Sequence, residues 1–243
     1  MASRRVMVVM AHPDDAEFGA GGTLAKWARE GAELRYVLCT SGDKGASDPR
    51  VNPAELAKIR EQEQRNAARV LAGGREVECV YLRYPDGMLT VTHELERDIV
   101  REIRRFRPHV VVCQDPTRLF YGKSYINHPD HRAAGLAAVN AIYPKARDPL
   151  TFPELLREGF EPWKVAEVYL SGPSEPDTWI DVADVLEIKL AALREHKSQL
   201  PDPERAFGFV RQRLAEAGKE RGLAYAEAFR QMILVQEPEP EDE

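Results

Sequence analysis

The sequence predicts a Rossmann-like α/β protein: a doubly wound, mostly parallel sheet flanked by helices, with a C-terminal extension of strand and helix. Three observations carry this expectation. Apolar runs of strand length at 6–10, 34–40, 77–82 and 109–113 read as buried strands. Helical patterns separate those runs through the first 143 residues, the alternation that right-handed crossovers produce. The length of 243 residues suits one such domain, expected over 1–236, with an acidic tail at 237–243.

The elements follow in order. Residues 6–10 are apolar throughout, as a central strand covered on both faces requires. Gly21, Gly22 and Thr23 are expected to open the first helix, with Leu24, Trp27 and Ala28 on one face and Gly31 at its close. A polar loop with Gly42 and Gly45 follows the second strand. Asn52 can cap the next helix, which has Pro53 at its first position, a stripe of Leu56, Ile59, Ala67, Val70 and Leu71, and Gly73 just past its end. A helix over 93–106 is stopped by Pro108, and another runs from His131 to about Tyr143. Residues 144–162 hold four prolines and are expected as a long loop or insertion. Strands follow at 165–170 and 179–182. Asp184 and Glu187 have capping-box spacing for a helix reaching His196, and a last helix covers 204–219. With strand order 3-2-1-4-5, strands 1 and 4 flank the switch point where ligands of such sheets bind.

Composition excludes several classes of protein. Hydrophobic residues at 43% and charged residues at 30% give a soluble globular profile. A net charge of -6 with no long basic run argues against a nucleic-acid or membrane-surface partner. The tail 237–243 carries part of the acidic excess and is expected to be solvated and disordered. Cys39, Cys79 and Cys113 each sit in a strand-like stretch, as small buried hydrophobes do. Their odd count and lack of paired spacing predict no disulfide framework and a reducing, cytoplasmic compartment. Arg4 and Arg5 before an apolar run faintly mimic a signal peptide, but the run is too short, and no stretch is long enough to span a bilayer.

Two segments hold the chemistry: His12-Pro13-Asp14-Asp15, directly after strand 1, and His128-Pro129-Asp130-His131, after strand 4 and a loop. His12, Asp15 and His131 are assigned as ligands of one divalent metal. Two neutral imidazoles and one carboxylate leave a coordination position open and a net positive charge that acidifies bound water. Asp14 adjoins a ligand without needing to coordinate, and suits the general base. His128 suits an imidazolium that polarises a carbonyl and protonates a leaving amine, with Asp130 accepting its other N–H. Each residue also has a plainer reading, a proline turn or a helix cap. Two such segments at matching sheet edges favour the metal site. Gly19, Gly21 and Gly22 do not have dinucleotide spacing, and aspartates occupy the turn where a pyrophosphate would approach. His93 and His109 are expected to be structural, and His196 to complement a helix dipole. Arg60 divides between a surface ion pair with Glu63 and a contact to a substrate oxygen.

These motifs resemble the LmbE-like, or PIG-L, de-N-acetylases. The likeness covers the His-Pro-Asp-Asp strand exit and Gly-Gly-Thr helix at 11–23, His128-Pro129-Asp130-His131-Arg132, His-Lys-Ser-Gln at 196–199, and a closing segment at 225–229. It is nearest to the diacetylchitobiose deacetylase and bacillithiol-pathway branches. The resemblance implies zinc-dependent removal of an N-acetyl group from an N-acetylglucosamine-containing small molecule, with Fe2+ as another candidate ion. It assigns the ligands, base and electrophilic partner to the same residues, places Arg60 near the sugar, and implies a homo-oligomer, with the hexamer as the form found in several members of those branches. The chain departs from the pattern at 118–127, a long loop with Phe120, Tyr121 and Tyr125. Two other readings stand beside it: a non-haem Fe(II) oxygenase built on the same triad, and a non-catalytic sugar-binding module.

Overall fold

A computed structural model of the protein describes residues 4–235, so the acidic tail lies outside the described residues. The chain begins β1 (Arg5–Met10), α1 (Asp15–Arg29), β2 (Glu33–Leu38), α2 (Pro53–Leu71), β3 (Glu78–Tyr81) and α3 (His93–Phe106). Next come β4 (Val110–Gln114), the short strands β5 (Phe120–Tyr121) and β6 (Tyr125–Ile126), α4 (Pro129–Asn140), a π-helical turn (Ala141–Lys145) and α5 (Pro153–Arg157). Last are β7 (Glu167–Ser171), β8 (Thr178–Asp181), a 3-10 turn (Ala183–Val185), α6 (Leu186–Leu193), α7 (Pro203–Lys219) and β9 (Ala226–Ile233).

The sheet order is β3-β2-β1-β4-β7-β9-β8. The first five strands are parallel and reproduce the expected 3-2-1-4-5 order, while β9 runs antiparallel to both its neighbours. Alternate residues of β1 feed two apolar layers. Val6, Val8 and Met10 pack under α1, α2, α6 and α7, and Met7 and Val9 pack under α3, α4 and α5. β1 and β4 are level, Val6 opposite Val110 and Val9 opposite Cys113. Both chains therefore leave the sheet at the same edge, which brings the two histidine segments together. Cys39 and Cys113 are buried and Cys79 half-buried, all three unpaired. Among the described residues no helix is long and apolar enough to cross a membrane.

Four local expectations are corrected. α1 opens at Asp15, so Gly21, Gly22 and Thr23 lie inside it. A Cβ on Gly22 would stand 2.7 Å from Val182 Cβ, so glycine permits a close helix contact there and does not mark a helix start. Asp184 and Glu187 form no capping box; they pair with Arg29 and Arg211, and α6 ends at Leu193, short of His196. The proline-rich 144–162 region contains α5. β9 was anticipated only as a closing segment.

Arg104 explains how that region is held. Its side chain is buried, and its guanidinium donates to the carbonyl oxygens of Lys145, Ala146, Asp148 and Thr151 at 2.8–3.2 Å. Arg104→Met removes all four of these bonds, and the Ala146 and Asp148 carbonyls keep only the N–H groups of Trp163 and Thr151. It is expected to cost about 3 kcal/mol and to expose the 145–151 segment to limited proteolysis. A wild-type melting temperature and cleavage pattern would refute this.

A buried ion pair joins α1 to the C-terminal elements. Lys189 Nζ lies 2.7 Å from Glu227 Oε1, with both side chains almost fully buried. Lys189 also donates to the carbonyls of Glu17 and Phe18, and Glu227 accepts the N–H groups of Gly22 and Thr23. Both charges thus rest on the α1 backbone. Glu227→Gln strands a buried ammonium, and a loss of about 3–5 kcal/mol is expected. The corresponding fall in Tm, roughly 10 °C for a domain of this size, is read by thermal melting.

Candidate metal and active centre

Both functional loops are built by the same device, an apolar strand ending in proline and polar residues that start a helix. After β1 the chain turns at His12-Pro13-Asp14, and Asp14 takes φ 97°, ψ −28° immediately before α1. A left-handed aspartate costs about 1–3 kcal/mol unless its surroundings hold it. Its N–H donates to Gln64 Oε1 at 3.0 Å, and Arg60 Nη2 donates to the Pro13 carbonyl at 2.6 Å. On the other side, His128 caps α4, Pro129 takes the first helical position, and His131 follows one turn in.

These turns place His12, Asp15 and His131 in one cluster. Asp15 lies between the two imidazoles, with Oδ2 3.4 Å from His12 Nδ1 and Oδ1 3.1 Å from His131 Nε2. His128 completes the group: its ring centroid is 4.9 Å from that of His12 and 5.3 Å from that of His131. One nitrogen from each of the three histidines falls within a sphere of metal-binding size. Nε2 of His12 points the other way, to Asp86 Oδ1 at 3.0 Å and Asp130 Oδ2 at 3.3 Å. That contact can fix the proton on Nε2 and leave Nδ1 free to coordinate on the Asp15 side.

The electrostatics favour a cation. Burial opposes charge on His12, yet Asp130, Asp15 and Asp86 together push its pKa up to about 12. Burial likewise opposes ionisation of Asp15, but His131 and His12 hold it well below the carboxylate range. Asp86 is held at about 2 against its burial by His12 and the Lys44 N–H. His131 is raised above the ordinary imidazole value, Asp15 outweighing its burial. A field that holds protons this firmly, lined by imidazole and carboxylate donors, suits a divalent ion. Asp14 differs from its neighbour: burial pushes it up to about 6, against the pull of Arg60.

The geometry departs from the sequence reading at Asp130, His128, Arg60 and His196. The Asp130 carboxylate does not take the His128 N–H. It accepts from Gly87 N, Leu89 N and His12 Nε2, while His128 Nδ1 lies 4.0 Å away. His128 Nδ1 instead accepts the backbone N–H of Asp130 at 3.1 Å, and burial with nearby His12 holds its pKa below the ordinary value. Both features favour a neutral imidazole with its proton on Nε2 over the expected imidazolium. Arg60 is not a surface residue: it is 4% exposed, with Nη1 donating to the Gly42 carbonyl and Nη2 to the Pro13 carbonyl and the Asp14 carboxylate. His196 is fully buried and faces Glu17 Oε2 at 3.1 Å, with no dipole role.

Asp86 escaped the sequence reading. Its signal was the Pro85-Asp86-Gly87 turn just beyond β3, at the same sheet edge as the two histidine loops. Tyr121, on the hairpin of β5 and β6, lies close enough to Asp15 to feel its charge. That hairpin replaces the simple loop expected at 118–127.

A doubly wound sheet bearing two imidazoles around one carboxylate, with a half-ionisable carboxylate beside them, has the make-up of a hydrolytic metal centre. The chain belongs to the PIG-L, GlcNAc-PI de-N-acetylase, family, whose model matches residues 7–142. It is 33% identical over 229 residues to a diacetylchitobiose deacetylase of Thermococcus kodakarensis, covering 93% of this chain and 82% of that one. It is 34% identical over 245 residues to a 1D-myo-inositol 2-acetamido-2-deoxy-alpha-D-glucopyranoside deacetylase of Saccharopolyspora erythraea, covering 80% and 83%. Among solved structures it resembles the N,N'-diacetylchitobiose deacetylase of Pyrococcus horikoshii in complex with its inhibitor MPG. The TM-score is 0.86 at 32% identity, covering 95% of this chain and 84% of that one.

Proposed function

We propose that the protein is a zinc-dependent deacetylase that hydrolyses the N-acetyl group of an N-acetylglucosamine-containing small molecule. The observation that carries this reading is the pairing of Asp15, clamped between His12 and His131, with Asp14, half-buried and with its pKa raised to about 6. An ion held by His12, Asp15 and His131 would lower the pKa of water to about 7. Asp14 accepts the proton of the attacking water. His128 donates Nε2–H to the amide oxygen as charge develops there. Because His128 is neutral, losing that proton would leave an imidazolate; the leaving amine therefore takes its proton from Asp14. Arg60 holds Asp14 in place. Asp130 and Asp86 hold His12.

The activities named for the two relatives support deacetylation and do not favour the oxygenase or the non-catalytic reading. The three unpaired cysteines suit a reducing, cytoplasmic setting. A glycosidase needs two carboxyl groups across the anomeric centre, and Asp15 is committed to the histidines. The test incubates the metal-loaded protein with N-acetylglucosamine, diacetylchitobiose, N-acetylglucosaminyl-malate and the inositol conjugate, and follows acetate, free amine and sugar mass. Loss of one acetyl mass with the sugar chain intact is expected. Shortened sugars, or no reaction with any of them, would overturn the proposal.

A further inference from the structure

Asp14 is an aspartate in a backbone region that favours glycine, and it is not held there by a cap of its own, since its side chain makes no capping bond. Beside the Arg60–Pro13 contact, the support comes from a buried line of three side chains, on α2, on α1 and in the turn after α6. Gln64 of α2 accepts the Asp14 N–H on Oε1 at 3.0 Å and donates from Nε2 to Glu17 Oε1 at 2.9 Å. The other oxygen of Glu17, one turn into α1, meets Nε2 of His196, just past α6, at 3.1 Å. All three side chains are 0% exposed. None touches the metal-type cluster, and the chemistry proposed above uses none of them.

The chemical types are specific. An amide can accept from a main-chain N–H with its oxygen and donate to a carboxylate with its nitrogen, which neither a carboxylate nor an ammonium can do. A carboxylate at position 17 and a nitrogen donor at 196 then fix which end of the Gln64 amide faces Asp14. A donor in place of the Glu17 carboxylate would turn the Gln64 N–H toward the Asp14 N–H and release the turn.

We propose that Gln64, Glu17 and His196 form a positioning relay that keeps the Asp14 main chain in its left-handed conformation and so aims its carboxylate at the reacting water. The proposal rests on Asp14 being the base. His196 therefore acts on catalysis through backbone geometry, by way of α1 and α2 and without contact to substrate.

The test is a double-mutant cycle on the zinc-loaded full chain. Gln64→Met keeps length and removes both hydrogen bonds. It is expected to lower kcat at least about tenfold, on the scale of other outer-sphere partners, with KM and zinc affinity by chelator competition unchanged. In an Asp14→Asn background the same change is expected to alter the residual rate by less than about twofold, because it acts only through Asp14. His196→Gln keeps a donor to Glu17 and is expected to retain more kcat than His196→Leu, which serves as the second arm should Gln64→Met not fold. Full kcat in Gln64→Met, an additive loss in the Asp14→Asn background, or equal rates for the two His196 variants would overturn the relay. An active Asp14→Asn parent would instead overturn the base assignment beneath it.

Discussion

His131→Ala is expected to lose both its metal and its activity. His131 supplies the only proposed ligand from the second loop, and its Nε2 sits 3.1 Å from Asp15. Removing it leaves the ion on one turn of chain, His12 and Asp15, with no partner across the cleft. Changes one sphere further out weaken metal sites by about 10–100-fold, so deletion of a ligand should exceed that range. α4 needs no help from the His131 side chain, because His128 and Pro129 supply its cap and first residue. The fold should therefore survive, and circular dichroism with elemental analysis separates metal loss from unfolding. Full metal occupancy in the variant would remove His131 from the ligand set.

Asp14→Asn is the complementary case, with metal retained and turnover lost. The amide keeps the size of the side chain but cannot take a proton. A fall of about 10²-fold or more in kcat is expected, the usual scale for a general base. The pH dependence has a definite sign. The base works ionised, so activity is present above its pKa and lost as pH falls through it. Burial puts that value at about 6, and a cation on neighbouring Asp15 can only lower it. The acid limb of kcat/KM should thus lie at or below about pH 6 in the parent and vanish in the variant. A variant within a few-fold of the parent would move the role elsewhere.

The parts of the site that were legible in the sequence are those whose neighbours in space are neighbours in the chain. Residues 6–10 are apolar without interruption, and the turn at 12–15 follows at once, so both strand and site could be read there. The pairing of the two histidine loops followed from the parallel sheet, because level strands release their loops at one edge. Asp86 was illegible for the opposite reason: a lone Pro-Asp-Gly turn looks like any surface turn until β3 carries it to His12. Glu17 reads as an ordinary acid in a first helical turn, and its buried partners Gln64 and His196 lie 47 and 179 residues away. β9 was missed as a strand because Glu227, Arg230 and Gln231 interrupt its apolar pattern. Glu227 is polar because it answers Lys189 and the α1 backbone, which no local rule contains.

The position of β9 bears on how the protein can be made. It is the last described element in the chain, yet it fills a place between β7 and β8. Until residues 226–233 emerge from the ribosome, that place must stay vacant, with two bare strand edges facing it. Such edges recruit other chains, so the nascent protein passes through a stage at which crowding with its own kind is most dangerous. The arrival of β9 also delivers Glu227 to α1, closing the helix that begins at the catalytic turn. A chain interrupted shortly before Ala226 would carry every residue assigned to the reaction and still lack the piece that completes the scaffold beneath them. Assembly of the sheet and completion of the scaffold under α1 are thereby tied to the arrival of β9.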